Sequence, residues 1–148
     1  MSGITDLAAK PVLRLERRLG VPPRKVFSAW TDPNEIARWF GPAGAEQLSA
    51  EVEARAGGRY RIGFRAANGE RSEVAGTYLE FVQDEKLVFT WAWHTTPERE
   101  SLVTIELEPD ADGTVLTLRH ENFFDEAARD RHRGGWNQSL DRLAALLS

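Results

Sequence analysis

The chain has 148 residues and 16.6 kDa, with 41% hydrophobic, 28% charged and 9% aromatic residues, proportions that fit one globular domain. The absence of cysteine excludes disulfides, thiol nucleophiles, thiolate zinc sites and iron–sulfur clusters. A net charge of −4 and a pI near 5.4 argue against generic affinity for nucleic acid or anionic membranes, leaving small molecules or other proteins as partners.

The first ten residues carry neither a basic leader nor an apolar core of signal-peptide length, and no stretch approaches the roughly 18 apolar residues of a membrane-spanning helix. A cytoplasmic protein with a flexible N-terminus over 1–11 and a single domain over 12–148 is expected. From Val12 to Leu19, Leu13 and Leu15 alternate with Arg14 and Glu16, the period of a strand that Gly20 and Pro22-Pro23 end. Val26, Phe27 and Trp30 then recur at helical spacing, and the proline before them suits a first helical turn. Asp32-Pro33-Asn34-Glu35 supplies a capping carboxylate, a proline at the first helical position and a Glu three after the cap, so a second short helix follows. It presents Ile36, Trp39 and Phe40, and Gly41-Pro42 stops it.

From about Glu46 the period falls from 3.6 to 2. Ala50, Val52 and Ala54 alternate with Glu51, Glu53 and Arg55, and Tyr60, Ile62 and Phe64 with Arg59, Arg61 and Arg65, across a Gly57-Gly58 turn. Asn68-Gly69 suits a type I′ hairpin, in which both central residues take positive φ. The strand from about Ser72 to Phe81 places Val74, Gly76 and Tyr78 on one side and Thr77, Leu79 and Phe81 on the other. After a turn at Gln83–Lys86, Leu87, Phe89, Trp91 and Trp93 make the most aromatic strand face in the chain. Val103, Ile105 and Leu107 alternate in the next strand, Asp112-Gly113 turns the chain, and Leu116, Leu118 and His120 share one face of the last. Asp125 then caps a helix of about 22 residues, roughly 33 Å long, whose stripe runs through Ala128, His132, Trp136, Leu140, Leu143 and Leu147. Gly134-Gly135 interrupts it, implying either close approach to the sheet or a kink.

One strand, two short helices, six strands in tight antiparallel succession and one long helix define an α+β protein. The curved sheet needs an apolar cover on its inner face, and only the C-terminal helix is long enough to provide it. Where sheet and helix fail to meet, a pocket forms, and the inward aromatics supply its wall.

The segments VFSAWTDPNEIARWFGPAG, GGRYRIGF, GTYLEF, LVFTWAW, TLRHENF and HRGGWNQSLDRLAALL, in this order, resemble the Bet v 1-like (START-like, SRPBCC) superfamily, within it the branch named after the C-terminal domain of the activator of Hsp90 ATPase. The resemblance covers Val12 to Leu147 and implies a helix-grip fold with a cavity between sheet and long helix. It does not imply Hsp90 activation, because the eukaryotic co-chaperone has a further domain that a chain of this length does not accommodate. The superfamily spans lipid carriers, hormone receptors, polyketide cyclases and resistance proteins, so the fold leaves the activity open.

The candidate ligand-binding residues are Trp39, Phe40, Tyr60, Phe64, Trp91, Trp93, His120, Phe123, His132, Trp136 and Leu140. The first expectation is binding or transport of a small apolar or aromatic molecule, with His120 and an indole N–H orienting it. The second is a cyclase- or dehydratase-like enzyme using His120 as proton shuttle, and the third a protein-interaction module, a chaperone partner or a homodimer built on a sheet edge. A lone inward histidine is usually a structural one held by its own hydrogen bonds, which is the bland reading of His120, as helix-to-sheet packing is of His132. The two histidines lack a third ligand at metal-binding spacing, and neither GxSxG nor a phosphate-binding glycine loop occurs, so no metal or cofactor is expected. Arg59, Arg61 and Arg65 read as a solvated charge ladder facing Glu51 and Glu53, and Trp30 as core.

Overall fold

A computed structural model describes residues 10–148, so most of the expected flexible N-terminus lies outside the described residues. The elements are β1 (Leu13–Leu19), α1 (Pro23–Thr31), α2 (Pro33–Trp39), β2 (Glu46–Val52), β3 (Arg59–Arg65), β4 (Arg71–Val82), β5 (Lys86–Trp93), β6 (Ser101–Asp110), β7 (Gly113–Glu121) and α3 (Glu126–Leu146). The seven strands form one antiparallel sheet in the order β1-β7-β6-β5-β4-β3-β2. Every neighbouring pair from β2 to β7 is also consecutive in sequence, as short connections require. Only β1 crosses over to pair with β7, placing α1 and α2 between the two edges of the sheet.

The starts of α2 and α3 follow from capping residues, whereas α1 begins at Pro23 with no side-chain cap. Asp32 accepts from the Asn34 N–H at 2.8 Å ahead of α2, and Asp125 accepts from the Ala128 N–H at 2.8 Å ahead of α3. At 21 residues, α3 is about 32 Å long and spans the sheet. It buries Ala128, Trp136, Leu140 and Leu143 against strand side chains that include Leu13, Val103 and Leu118. Gly134 and Gly135 lie within continuous helix, and a Cβ on either would meet nothing within 4 Å, so close approach to the sheet is not why they are glycine.

Three local expectations change. The β3–β4 connection closes with the Gly69 N–H donating to the Ala66 carbonyl at 2.8 Å, and only Gly69 has positive φ (89°), not Asn68. The turn therefore centres on Ala67-Asn68 with Gly69 as the left-handed residue that follows, a longer loop than type I′. The β6–β7 turn consists of Ala111 and Asp112, because Asp110 already pairs with Gly113. In β4 the register shifts between Tyr78 and Glu80, and this bulge reverses the alternation beyond it. Phe81 thereby turns onto the core side, 5.2 Å from the Phe27 ring and 5.4 Å from Tyr78.

The outer face carries the charge ladder: Arg61 meets Glu51 at 2.5 Å and Glu73 at 3.3 Å, and Arg65 meets Glu46 at 2.8 Å. Glu53 accepts instead from the backbone N–H of Arg59. At the β1 edge, Arg17 donates to Asn137 at 2.7 Å and approaches Asp141, tying that strand to α3.

Candidate functional site

Between the sheet and the middle of α3 lies a cavity of about 430 Å³, within the range of small-molecule sites. The helix contributes Arg131, His132, Gly135, Trp136 and Ser139, the sheet contributes Phe64, Ser72, Trp91 and Trp93, and the β3–β4 connection contributes Ala66. Phe40, Gly41 and Pro42, leaving α2, close one end. That end is fastened to the helix: the Ser139 hydroxyl donates to the Gly41 carbonyl at 3.0 Å and accepts from the Gly41 N–H at 3.2 Å. Arg142 donates to the Gly41 and Pro42 carbonyls, and Gln138 accepts from the Ala43 N–H at 2.8 Å.

Of the expected binding residues, Phe40, Phe64, Trp91, Trp93, His132 and Trp136 line this cavity. Trp39 and Tyr60 face instead a small inner cavity of about 20 Å³, which Trp91 and Trp136 separate from the larger one. Phe123 borders a further cavity of about 60 Å³ beside the β5–β6 connection, and Leu140 is closed into the core. Trp30 packs at 4.7 Å from Trp39 and 5.8 Å from Trp136, in keeping with a core role.

His120 points inward from β7, as its alternation requires, yet it stands behind the cavity wall and is 0% exposed. Trp136 Nε1–H donates to its Nδ1 at 3.0 Å, so the ring proton sits on Nε2. Nε2 lies 2.7 Å from the Ser101 hydroxyl, which in turn donates to the Trp91 carbonyl at 3.3 Å. Ser101 is opposite Trp91 across the β5–β6 pair, so strand register builds this relay. Asn122, which an ideal strand would place on the same face, has left the strand with φ 68° and is exposed.

His132 is held similarly. Its Nδ1 donates to the Ala128 carbonyl at 2.7 Å, and its Nε2 accepts from Trp93 Nε1–H at 2.9 Å. The two imidazoles stand 5.2 Å apart, ring edge to ring face. Burial, and after it the neighbouring His132, push the His120 pKa well below its ordinary value. Burial lowers that of His132 too, against the Ala128 hydrogen bond that favours its charged form. Both rings are therefore neutral at pH 7, and each positions an indole on the cavity wall.

Two buried indole N–H groups, on Trp30 and Trp91, have no partner among the described residues. No group of three or more His, Cys, Asp or Glu among the described residues is arranged to hold a metal ion. No helix among them is long and apolar enough to cross a membrane. Sequence reasoning missed Ser139 and Gly41; Ser139 falls three residues after Trp136 on the helix stripe, a spacing that could have revealed it.

An open antiparallel sheet folded around one long helix, with two short helices between its first two strands and an aromatic cavity beneath, is the helix-grip architecture of the SRPBCC, Bet v 1-like superfamily. Residues 20–148 match the model of the family described as "Activator of Hsp90 ATPase homolog 1-like protein", and the chain belongs to that family. Its fold is that of ligand-binding and polyketide cyclase-like SRPBCC proteins. A Chromobacterium violaceum protein is 35% identical, with 93% of this chain and 97% of that one covered and a TM-score of 0.84. An AHSA1 protein from Silicibacter pomeroyi is 30% identical over 93% and 97%, with a TM-score of 0.83. A Nitrosomonas europaea protein is 25% identical over 92% and 93%, with a TM-score of 0.78. No curated protein matches the chain.

Proposed function

We propose that the protein binds a small, largely apolar or aromatic molecule in the cavity between the sheet and α3. The observation that carries this reading is the cavity itself: about 430 Å³, walled by Phe40, Phe64, Trp91, Trp93 and Trp136, in a chain whose other inward aromatics pack closely. Affinity comes from desolvating aromatic surface. Orientation comes from the wall, because His120 has both nitrogens engaged within the protein and none left for a ligand. The same engagement counts against His120 as a cyclase or dehydratase proton shuttle, and His132 likewise has both nitrogens taken. Hsp90 activation, which the family's name mentions, is not part of this reading.

The test is fluorescence titration with phenylnaphthylamine, a neutral aromatic probe that brightens in apolar sites. Saturable enhancement is expected in the wild type. It should fall at least fivefold in affinity in Gly135→Leu, which places a side chain on the cavity wall where a Cβ now meets open space. Equal binding by both proteins, or none by either, would refute the cavity as the site.

A further inference from the structure

The cavity wall has a charge opposite in sign to that of the chain. The protein's net charge is −4, yet among the described residues neither Asp nor Glu lines the cavity, and the one ionised side chain on its wall is Arg131 of α3. Of the other arginines of this helix, Arg129 meets Asp130 at 3.1 Å and Arg142 donates to the carbonyls of Arg38, Gly41 and Pro42, while Arg133, off the cavity, has neither an ion pair nor a side-chain hydrogen bond among the described residues. Arg131 is exposed and, among the described residues, has neither a carboxylate within 4.0 Å nor a hydrogen-bond acceptor. Of the other polar groups on the wall, His132 is committed to Trp93 and Ala128 and Ser139 to Gly41, while the Trp91 indole N–H has no partner among the described residues. Arg131 also borders the smaller cavity beside the β5–β6 connection, where Arg99 lies 3.8 Å over the Phe124 ring, likewise without a carboxylate among the described residues. A site for a wholly neutral ligand has no need of a free guanidinium on its wall, whereas an anion gains a bidentate donor there.

We infer that the ligand is an organic anion: a flat apolar or aromatic body among Phe40, Phe64 and the tryptophans, with a carboxylate or equivalent acidic oxygen pair meeting Arg131 at the mouth. This rests on the cavity being the binding site. Exposure of Arg131 to solvent screens the pair, so the gain is modest, about three- to fivefold in affinity. The same charge draws anions towards the cavity of an acidic protein that otherwise repels them.

The experiment titrates two probes of closely related ring structure, anilinonaphthalene sulfonate and neutral phenylnaphthylamine, into wild type, Arg131→Gln, Arg131→Lys and Arg133→Gln. Arg133 is exposed on the same helix and does not line the cavity, so its substitution controls for loss of one charge. Arg131→Gln should weaken the sulfonate about three- to fivefold and leave the neutral probe within about 1.5-fold. Arg131→Lys should recover part of the loss, Arg133→Gln should change neither, and added salt should weaken only the sulfonate in wild type. Neutral-probe binding with no effect of Arg131→Gln on the sulfonate, or an equal effect of Arg133→Gln, overturns the anion inference and leaves the cavity reading intact. Failure of both probes to saturate overturns both.

Discussion

Replacing the two helical glycines with alanine should make the protein more stable. Gly134 and Gly135 are in the interior of α3, neither has positive φ, and a Cβ at either position meets nothing within 4 Å. The propensity difference then acts unopposed, at about 0.8–1.0 kcal/mol for each substitution, through lower chain entropy in the unfolded state. At this chain length about 1 kcal/mol shifts Tm by roughly 2–4 °C, so each single variant should melt about 3 °C higher and the double variant about 6 °C higher. Urea denaturation with an unchanged m-value gives the free energies directly. Gly134 is exposed, while Gly135 stands on the cavity wall, so only Gly135→Ala should disturb probe binding, and slightly. Destabilisation by either alanine would show that the backbone needs the missing Cβ and would refute the argument. If both stabilise and Gly135→Ala alone weakens the probe, the second glycine keeps the cavity open at the expense of helix stability.

His120→Ala removes both acceptor and donor of a buried relay, leaving Trp136 Nε1–H without its partner, and should cost about 2–4 kcal/mol in urea unfolding. A variant within about 0.5 kcal/mol of wild type would mean the relay contributes little. Stability should also fall as the pH drops below about 6.5. The unfolded histidines take up protons near that value, while folded His120 and His132, with pKa values lowered mainly by burial, do not. The unfolded state binds more protons in this window, so stability is at its full value above about pH 7. It then declines by up to about 2.7 kcal/mol per pH unit until the folded groups begin to titrate. Urea midpoints measured from neutrality down to about pH 5.5 would show the decline, and a flat profile would contradict neutral, buried imidazoles.

The elements were legible because each rests on local physics. Capping carboxylates at Asp32 and Asp125, proline at first helical positions and the change of period near Glu46 are all short-range signals, and the helices and strands follow them closely. Local reasoning failed where a single residue altered the count. The bulge after Tyr78 swings Phe81 inward, and the positions of the turns at Gly69 and Ala111 depend on which pairs close across the strands. The inward direction of His120 was readable from alternation with Leu116 and Leu118, but its role was not. Its partners, Ser101 and Trp136, come from β6 and α3 and meet it only through strand register and helix placement.

The sequence by itself determined an α+β chain with a one-faced antiparallel sheet, a long covering helix and a surplus of inward aromatics. Periodicity and capping act over a few residues and need no knowledge of the rest. Only the tertiary structure decided which aromatics border open space and which fill it. Trp91, Trp93 and Trp136 stand on the cavity wall, whereas Trp39 and Leu140 are closed into the core. The separation of helix from sheet is set by the sum of many side-chain volumes and by the clamp from Ser139 and Arg142 to the loop after α2. That is a global packing quantity, and no local pattern in the chain encodes it.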